Sequence, residues 1–71
     1  MEKLNISARI VAYRRRHSLT QAAFGELLGV TPQAVSKWER DVCCPDVMLL
    51  PRLATLLSCT VSDFFLDAVE E

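Results

Sequence analysis

Two short helical segments, each opened by a threonine and separated by a glycine, constrain this chain more than any other feature. Thr20 can cap the segment 21–28, and Gly29 can end it. Thr31 and Pro32 then repeat the start signal, since a proline at the first helical position lacks only an N–H that would be unpaired anyway. The sequence therefore predicts two helices of about two turns each, joined by a tight turn.

Gly25 lies in the middle of the first of these helices, where glycine weakens a helix by about 1 kcal/mol relative to alanine. Such a glycine indicates that another backbone passes close to it, and we expect that backbone to be the second helix. Val30 is predicted to fill the turn. Apolar residues at helical spacing supply the inner side of the pair: Phe24, Leu28, Val35 and Trp38.

The helical patterns before and after this pair predict an all-α domain. Ile6, Ile10 and Tyr13 fall at spacings of four and three, which predicts one inward stripe on a first helix. Pro51 interrupts the start of a fourth helix, so we expect a loose turn before it. The residues predicted to face inward around that helix are Leu49, Leu50, Leu53, Ala54 and Leu57.

A short fifth helix is predicted near the end of the chain. Thr60 and Asp63 form a Thr-x-x-Asp pair similar to a capping box, with Asp in place of the usual Glu or Gln. Phe64 and Phe65 follow directly and are expected to close the core.

Several motifs stand in a fixed order along the chain. They are LTQ at 19–21, LLGV at 27–30, VSKWER at 35–40, PD at 45–46, LLPRLA at 49–54 and VSDFF at 61–65. Over residues 6–66 this order and spacing resemble the lambda-repressor-like, Cro-type helix-turn-helix family of bacterial and phage regulators. The resemblance implies a compact five-helix domain, with the helix-turn-helix in helices 2 and 3, that binds operator DNA.

Length and composition agree with one small domain over residues 1–71. Apolar residues make up 51% of the chain, enough for a core, and we place that core at about 6–66 and an acidic tail at 67–71. No stretch of about 18 apolar residues and no signal-peptide core are present, so we expect a cytoplasmic protein with no membrane contact.

The charge distribution is uneven. The formal net charge is −1, which is unusual for a nucleic-acid-binding domain. Residues 1–40 carry seven basic and three acidic side chains, a net charge of +4, whereas residues 41–71 carry one basic and six acidic side chains, a net charge of −5. Because salt screens charges beyond roughly 8 Å, a basic front can bind phosphates despite an acidic back.

The resemblance implies that residues 32–40 form the helix that enters the major groove. Gln33 is the preferred base reader, because an amide matches the N6 and N7 edge of adenine. Ser36 and Lys37 lie three and four residues further on, hence on the same face. Thr31 is expected to divide its hydroxyl between capping and DNA, and Pro32 offers only apolar contact where relatives often have a polar reader.

Phosphate contacts are predicted for four polar residues. Gln21 matches the family's phosphate-binding glutamine at a helix N-terminus, where free N–H groups favour an anion. Arg40, Arg9 and Arg16 are the further candidates.

The resemblance also pairs Arg14 with Glu39, an ion pair between helix 1 and the recognition helix that we interpret as structural. A half-buried pair of this kind would hold the recognition helix at a fixed angle. Removal of one partner would leave the other charge unpaired and would lower the stability of the fold by about 3 to 5 kcal/mol.

The three cysteines do not form a recognisable metal or catalytic motif. Cys43 and Cys44 are adjacent rather than spaced as C-x-x-C, and His17 is the one histidine. Cys59 is expected to pack as a small apolar residue. A redox-sensing role for the adjacent pair stays open. We predict no enzymatic activity, no cofactor and no small-molecule ligand.

The leading hypothesis is a homodimeric regulator, most simply a repressor, that binds an inverted-repeat operator in double-stranded DNA. The alternative is a protein-interaction or antitoxin-like adaptor module that grips a partner with Phe64, Phe65 and Leu66. Salt dependence separates the two, because binding through phosphates weakens steeply with salt and an apolar interface does not.

Overall fold

The computed structural model describes residues 5–65, and within that range every regular element is helical. Four α-helices follow one another: α1 (Ile6–His17), α2 (Gln21–Leu28), α3 (Pro32–Glu39) and α4 (Leu50–Leu56). Two 3₁₀ helices accompany them, the first at Val47–Leu49 and the second at Val61–Phe65. The predicted count of five α-helices is therefore not matched, because the fifth predicted helix is a 3₁₀ helix of five residues.

The two threonines start their helices as predicted. Thr20 Oγ1 accepts the N–H of Ala23 at 3.0 Å, and Thr31 Oγ1 accepts the N–H of Ala34 at 3.2 Å. Gly29 ends α2 with a φ of 76°, a left-handed conformation that glycine adopts without a Cβ clash. Local chemistry thus sets both ends of α2 and the start of α3.

Gly25 marks the close approach of a backbone, but the neighbour is the turn and not the body of α3. A Cβ at this position would lie 2.6 Å from the carbonyl oxygen of Val30. The N–H of Val30 in turn donates to the carbonyl of Gly25 at 2.9 Å. The missing side chain therefore allows the turn before α3 to fold back onto α2.

Within residues 5–65, three helix ends use non-glycine residues in the left-handed conformation. Ser18, Asp41 and Ser58 have φ values of 55°, 60° and 59°. Related helices often place glycine at such positions, because a Cβ makes this conformation unfavourable by about 1 to 2 kcal/mol. The surrounding fold holds these residues in place at some local strain.

The core lies between all four α-helices and the second 3₁₀ helix. Its buried members come from each of these elements: Ile6, Ile10, Phe24, Leu28, Val35, Trp38, Leu53, Ala54 and Phe64. Partly exposed residues that pack against this cluster include Tyr13, Leu49, Leu50, Leu57 and Cys59. The inward faces predicted from helical spacing are confirmed, including the assignment of Trp38 to the core.

The start of α4 is irregular, as Pro51 predicted. The first 3₁₀ helix precedes it, and Asp46 caps that turn by accepting the N–H of Met48 at 3.1 Å. Pro51 then stands in the first turn of α4, where its missing N–H is tolerated.

Asn5 joins the two ends of the described chain. Its N–H donates to the carbonyl of Phe64 at 3.0 Å, and its Nδ2 donates to the carbonyl of Asp63 at 2.9 Å. Thr60 and Asp63 form the predicted reciprocal bonds, with the N–H of Thr60 donating to Asp63 Oδ2 at 2.9 Å and the N–H of Asp63 to Thr60 Oγ1 at 3.2 Å. The second 3₁₀ helix is thereby held against the start of α1.

None of the helices within residues 5–65 has the length and apolar character needed to cross a membrane. Leu66 and the predicted acidic tail at 67–71 lie outside the described residues.

Candidate nucleic-acid interface

The outer face of α3 is polar and open to solvent. Gln33, Lys37 and Arg40 contribute to this face together with Ser36, and the helix buries Val35 and Trp38 on its opposite side. Because an α-helix advances about 100° per residue, the four polar side chains project together as one surface.

Thr31 and Pro32 stand at the N-terminal edge of this surface, and both are exposed. The Thr31 hydroxyl accepts the cap bond from Ala34, but an oxygen that accepts one bond can still donate its own proton. Pro32 presents only its ring. The N-terminal end of α3 therefore offers one hydroxyl and one apolar patch beside Gln33.

Ser36 and Arg40 act as a pair. The Nε–H of Arg40 donates to Ser36 Oγ at 3.1 Å, across one turn of the helix. This bond occupies an acceptor position of the serine and turns the guanidinium along the exposed face of α3. The two residues, predicted as a base reader and a phosphate contact, thus form one oriented unit.

The ion pair predicted between Arg14 and Glu39 is present and has two contacts. Arg14 Nε lies 2.6 Å from Glu39 Oε2, and Nη2 lies 2.9 Å from Oε1. Nη1 of the same guanidinium donates to the carbonyl of Leu19 at 2.9 Å. The side chains are 22% and 8% exposed, so water screens the pair only in part. This planar, two-point contact fixes both the position and the angle of the end of α3 relative to α1.

Gln21 adds a third donor to the same carboxylate. Its Nε2 donates to Glu39 Oε1 at 3.0 Å. Gln21 is the first residue of α2, so the bond joins the N-terminal end of α2 to the C-terminal end of α3. An amide nitrogen has two N–H groups, and the second can still donate beside the helix N-terminus. The resemblance implied a phosphate contact for Gln21 but did not reveal this bond.

The ionisation of the network follows from these contacts. The hydrogen bond from Arg14 is the main cause that lowers the pKa of Glu39; the bond from Gln21 lowers it further, against the opposing effect of burial. The same hydrogen bond to Glu39 is the main cause that raises the pKa of Arg14. Both groups are therefore charged throughout the physiological pH range, and the pair persists there.

Arg9 and Arg16 lie apart from this surface. They line a pocket with Leu57 on the flank of α1 that faces the end of α4. At about 100° per residue, Arg9 is about 140° around α1 from Arg14, which faces α3. The structure therefore does not bring these two predicted phosphate contacts together with Gln21, Gln33, Lys37 and Arg40.

Arg15 is a basic residue that α1 does place near α3. Its charge contributes to lowering the pKa of Glu39, which locates it within electrostatic reach of the Arg14–Glu39 pair. From the sequence, Arg15 remained a candidate for either solvent or phosphate. The signal available in the sequence was its position next to Arg14, because the side of α1 that carries Arg14 must face α3.

The three cysteines are free thiols. Cys43 and Cys44 are exposed in the loop after α3, and Cys59 is partly buried, so that burial raises the pKa of its thiol. In residues 5–65 no group of three or more His, Cys, Asp and Glu side chains is arranged to hold a metal ion. Cys59 packs against the core as expected of a small apolar residue.

Comparison with known proteins gives two kinds of similarity. The model of the helix-turn-helix family matches residues 10–64. The structure is similar to that of the P22 c2 repressor protein in complex with synthetic operator 9T in the presence of Tl+, with 35% sequence identity and a TM-score of 0.71. This match covers 80% of the present chain and 86% of the repressor chain. No curated protein matches the sequence.

Other similar structures show the fold alone. Hydroxypropylphosphonic acid epoxidase from S. wedmorenis is 23% identical with a TM-score of 0.67, over 89% of this chain and 34% of the epoxidase chain. Fe(II) HppE in complex with substrate is 24% identical with a TM-score of 0.67, over 87% of this chain and 36% of that one. The family match, in contrast, covers more than half of the chain and agrees with the repressor similarity, which covers most of both chains. The chain therefore belongs to the Cro/C1-type helix-turn-helix family.

Proposed function

We propose that this protein is a sequence-specific regulator of transcription, acting as a repressor, that inserts α3 into the major groove of double-stranded DNA. The observation that carries the proposal is the combination of an exposed polar face on α3 with a network that fixes the angle of that helix. Arg14 and Gln21 both donate to Glu39, so α1 and α2 are each bonded to the C-terminal end of α3. A reading helix needs such support, because a small displacement breaks its contacts with base edges.

Gln33 is the main base reader in this proposal. Its side chain lies near the N-terminal end of α3, the end that enters the groove in helix-turn-helix complexes. The amide can donate to N7 of adenine while it accepts from the N6 amino group, a two-point match that discriminates by about 1 to 3 kcal/mol. Lys37, one turn later, reaches guanine O6 and N7 or a phosphate.

Ser36 and Arg40 extend the contact along the groove. Their mutual bond holds the guanidinium against the helix, so its Nη groups reach a phosphate or a guanine at the far end of the site. Pro32 and the methyl group of Thr31 offer apolar contact to a thymine methyl group. Along α3 we therefore expect an apolar contact to a thymine methyl group first, then the contact of Gln33 with an adenine, and then contacts from the basic side chains.

The residues that bind phosphates in this proposal are Gln21, Arg40 and Arg15. Gln21 stands at the N-terminus of α2 with its amide oriented by Glu39, and the helix dipole there favours an anion. Residues 5–40 carry six basic and two acidic side chains, so the net charge of this half of the domain is positive although that of the whole chain is not. A bound phosphate interacts mainly with the charges close to it, because salt screens the more distant charges.

The comparison supports the choice of ligand. The P22 c2 repressor is solved with an operator, and its identity of 35% extends over most of both chains. We extend this to a homodimer of the present chain on an inverted repeat, with half-sites about one helical turn apart. The protein acts in this proposal by occupying DNA and not by catalysis.

The adaptor alternative depended on an aromatic surface at Phe64, Phe65 and Leu66. Phe64 is fully buried and therefore cannot grip a partner, whereas Phe65 is 40% exposed. Leu66 lies outside the described residues. No observation favours this alternative over DNA binding.

Selection of random duplex DNA by the purified protein at near-physiological salt tests the proposal. We expect an enriched inverted repeat whose specificity relaxes at one position per half-site in the Gln33→Ala variant. Ser62→Ala is the matched control, because Ser62 lies on the second 3₁₀ helix, away from α3. Absence of an enriched sequence, at low salt as well, contradicts the proposal.

The salt dependence of binding provides a second measurement. Removal of one phosphate contact reduces the steepness of log K against log salt by about 0.9. Arg40→Ala should show this reduction, whereas Arg52→Ala, which removes the same charge from α4, should leave the slope unchanged. Equal effects of the two variants would mean that overall charge, and not the surface on α3, controls binding.

A further inference from the structure

The loop between α3 and the first 3₁₀ helix carries two adjacent thiols that the proposed function does not use. Cys43 and Cys44 are both free and both exposed, whereas Cys59 is partly buried against the core. Because the side chains of the pair are exposed, they do not stabilise the core, and they lie beyond the C-terminal end of α3. The pair is therefore available to a ligand from solution.

The loop is anchored on both sides of the pair. The N–H of Val42 donates to the carbonyl of Lys37 at 2.9 Å, which ties the start of the loop to the last turn of α3. Pro45, directly after the pair, is buried. Between these anchors the chain bends at Val42 and Cys43. The two thiols therefore stand next to each other on a short, anchored bend.

The spacing of the pair favours a bridging atom over a direct disulfide. Consecutive Cα atoms are about 3.8 Å apart across a trans peptide, whereas the Cα atoms of an unstrained disulfide are about 4.4 to 6.8 Å apart. A direct bond between neighbouring cysteines is therefore strained and easily reduced. An atom placed between the two sulfur atoms lets them stand farther apart. A ligand that takes two thiols consequently suits this pair better than oxidation does.

The number of available ligands limits what can bridge the thiols. Zinc in a structural site takes four protein ligands, and within residues 5–65 no group of three or more His, Cys, Asp and Glu side chains could hold a metal ion. Soft sulfur ligands select soft partners. Trivalent arsenic that carries one organic group needs two further bonds, and its pyramidal geometry keeps both sulfur atoms on one side. This requirement matches two neighbours in the chain.

The surface beside the pair suits an organic group on the arsenic. Val42, immediately before Cys43, is 58% exposed. Val47 and Met48, three and four residues after Cys44, are 70% and 80% exposed. Apolar side chains that are this exposed gain free energy when an apolar group covers them. The loop therefore combines two sulfur ligands with an apolar surface.

We propose that Cys43 and Cys44 form a binding site for monosubstituted trivalent arsenicals, compounds of the type R–As=O. Two As–S bonds form, while the two S–H bonds and the As=O bond break. The two protons and the oxygen leave as one molecule of water. Arsenic stays trivalent, so the reaction needs neither an oxidant nor a reductant. The organic group R lies against the exposed apolar side chains of the loop.

Titration of the reduced full chain with phenylarsine oxide tests the proposal. Mass spectrometry detects the bound arsenical, and a chromogenic disulfide counts the thiols that remain free. We expect one arsenical per chain and one free thiol, that of Cys59. The adduct should persist in excess glutathione, a monothiol, and should be removed by 2,3-dimercaptopropanol. The reason is that two linked thiols hold the arsenic with a high effective concentration, which another dithiol can match and a monothiol cannot.

Three single variants locate the site. Cys43→Ser and Cys44→Ser should each lose the glutathione-resistant adduct, because a monothiol displaces a single As–S bond. Both positions are exposed, so serine should leave the fold intact, and circular dichroism checks the helix content. Cys59→Ala is the matched control, since it removes a thiol outside the loop. It should retain the resistant adduct and leave no free thiol.

Three results would overturn the proposal. Release of the arsenical from the wild type by glutathione would mean that the two thiols do not hold it together. A resistant adduct in Cys43→Ser or Cys44→Ser, or its loss in Cys59→Ala, would mean that Cys59 supplies a sulfur atom. A product with the mass of two chains and one arsenical would mean that the thiols come from separate molecules. The measurement involves no DNA, so its outcome is independent of the proposed function.

Discussion

The two halves of this domain are held together by different kinds of interaction. The helices α1, α2 and α3 share a core with the rest, but a polar network around Glu39 also joins them, with donors from Arg14 and Gln21. The second half, with α4 and the two 3₁₀ helices, packs on the same core through Leu53, Ala54 and Phe64.

This difference shows what each kind of interaction is suited to do. Apolar burial is strong and non-directional, so it stabilises α4 without fixing its angle closely. Hydrogen bonds to a carboxylate are directional, so they set the orientation of α3, which carries the proposed reading surface. The network is therefore expected to matter more for DNA recognition than for stability, and the apolar half more for stability.

The largest expected effect belongs to the apolar half. Phe64→Ala should lower the free energy of unfolding by about 3 to 5 kcal/mol, because it empties a fully buried aromatic site. Phe65→Ala, at an adjacent residue that is 40% exposed, should have a much smaller effect. Urea unfolding of both variants measures the difference, and similar losses would show that the second 3₁₀ helix does not hold the core as described.

The polar half is tested by a pair of substitutions at one contact. Arg14→Met should lower stability by about 2 to 3 kcal/mol, somewhat less than for a fully buried pair, because it leaves Glu39 without its main donor. Arg14→Met combined with Glu39→Met should regain much of this loss in urea unfolding, since apolar groups of similar volume can replace an ion pair.

DNA affinity should separate the double variant from the wild type even where stability does not. We expect the double variant to fold and to bind DNA more weakly, because α3 no longer has its directional support. Calorimetry with DNA measures this effect. Wild-type affinity in the double variant would remove the proposed distinction between the two halves.

Gly25 tests the close contact between α2 and the turn before α3. Gly25→Ala should lower stability by about 1 to 3 kcal/mol, because the new Cβ would meet the backbone oxygen of Val30 at 2.6 Å. This steric effect exceeds the gain of about 1 kcal/mol in helix propensity. Gly29→Asn serves as the control, since nothing lies within 4 Å of its Cβ and asparagine tolerates a left-handed φ. A more stable Gly25→Ala variant in thermal unfolding would contradict this account.

Acid pH should weaken the polar half selectively. The pKa of Glu39 is lower in the folded state than in the unfolded chain, mainly because of the bond from Arg14. Its contribution is therefore complete above the unfolded pKa of about 4.3 and is lost as pH falls through the folded pKa. The slope attributable to this one group reaches at most about 1.4 kcal/mol per pH unit.

The variant Glu39→Gln isolates this contribution. Its stability should fall less than that of the wild type between about pH 4.5 and about pH 2.5, a range that lies mostly below the unfolded pKa of a glutamate. Asp63, whose pKa is also lowered, mainly by the N–H of Thr60, titrates in both proteins and provides the internal reference. Parallel stability curves for the two proteins would show that the pair adds nothing to folding.

The smallest expected effect concerns the strained helix ends. Ser58→Gly should raise stability by about 0.5 kcal/mol, because relief of a left-handed φ of 59° outweighs the added freedom of glycine in the unfolded chain. Asp41→Gly, at a φ of 60°, should gain less, since aspartate adopts this conformation more readily. Thermal unfolding measures both, and a loss of stability at Ser58 would show that its hydroxyl has a role that the φ value does not reveal.

Features set by neighbours along the chain could be predicted from sequence. Thr20 and Thr31 cap their helices, Pro51 makes the start of α4 irregular, and Thr60 and Asp63 form reciprocal bonds. Each involves groups within four residues of one another, whose geometry depends little on the remaining fold. The bond from Arg40 to Ser36 belongs to the same class, and its spacing of four could have identified it.

Features that depend on how helices cross could not be predicted from the sequence. Gln21 bonds to Glu39 from 18 residues away, and Arg9 and Arg16 turn to the flank beside Leu57 and away from α3. Helical periodicity shows which residues share a face but not which neighbour that face meets. The sequence also did not predict that the fifth helix is a 3₁₀ helix. A capping pair indicates where a helix starts but not whether it continues as an α-helix or as a 3₁₀ helix.

The sequence by itself determined where most of the helices begin and end, which side chains form the core, and, through the family resemblance, which ion pair joins α1 to α3. The tertiary structure decided that Gly25 receives the turn, that Gln21 shares the carboxylate of Glu39, and that the basic residues of α1 divide between two flanks. The physical reason is that caps and apolar periodicity act over one or two turns. The environment of a polar side chain is set by the angle at which separate helices pack.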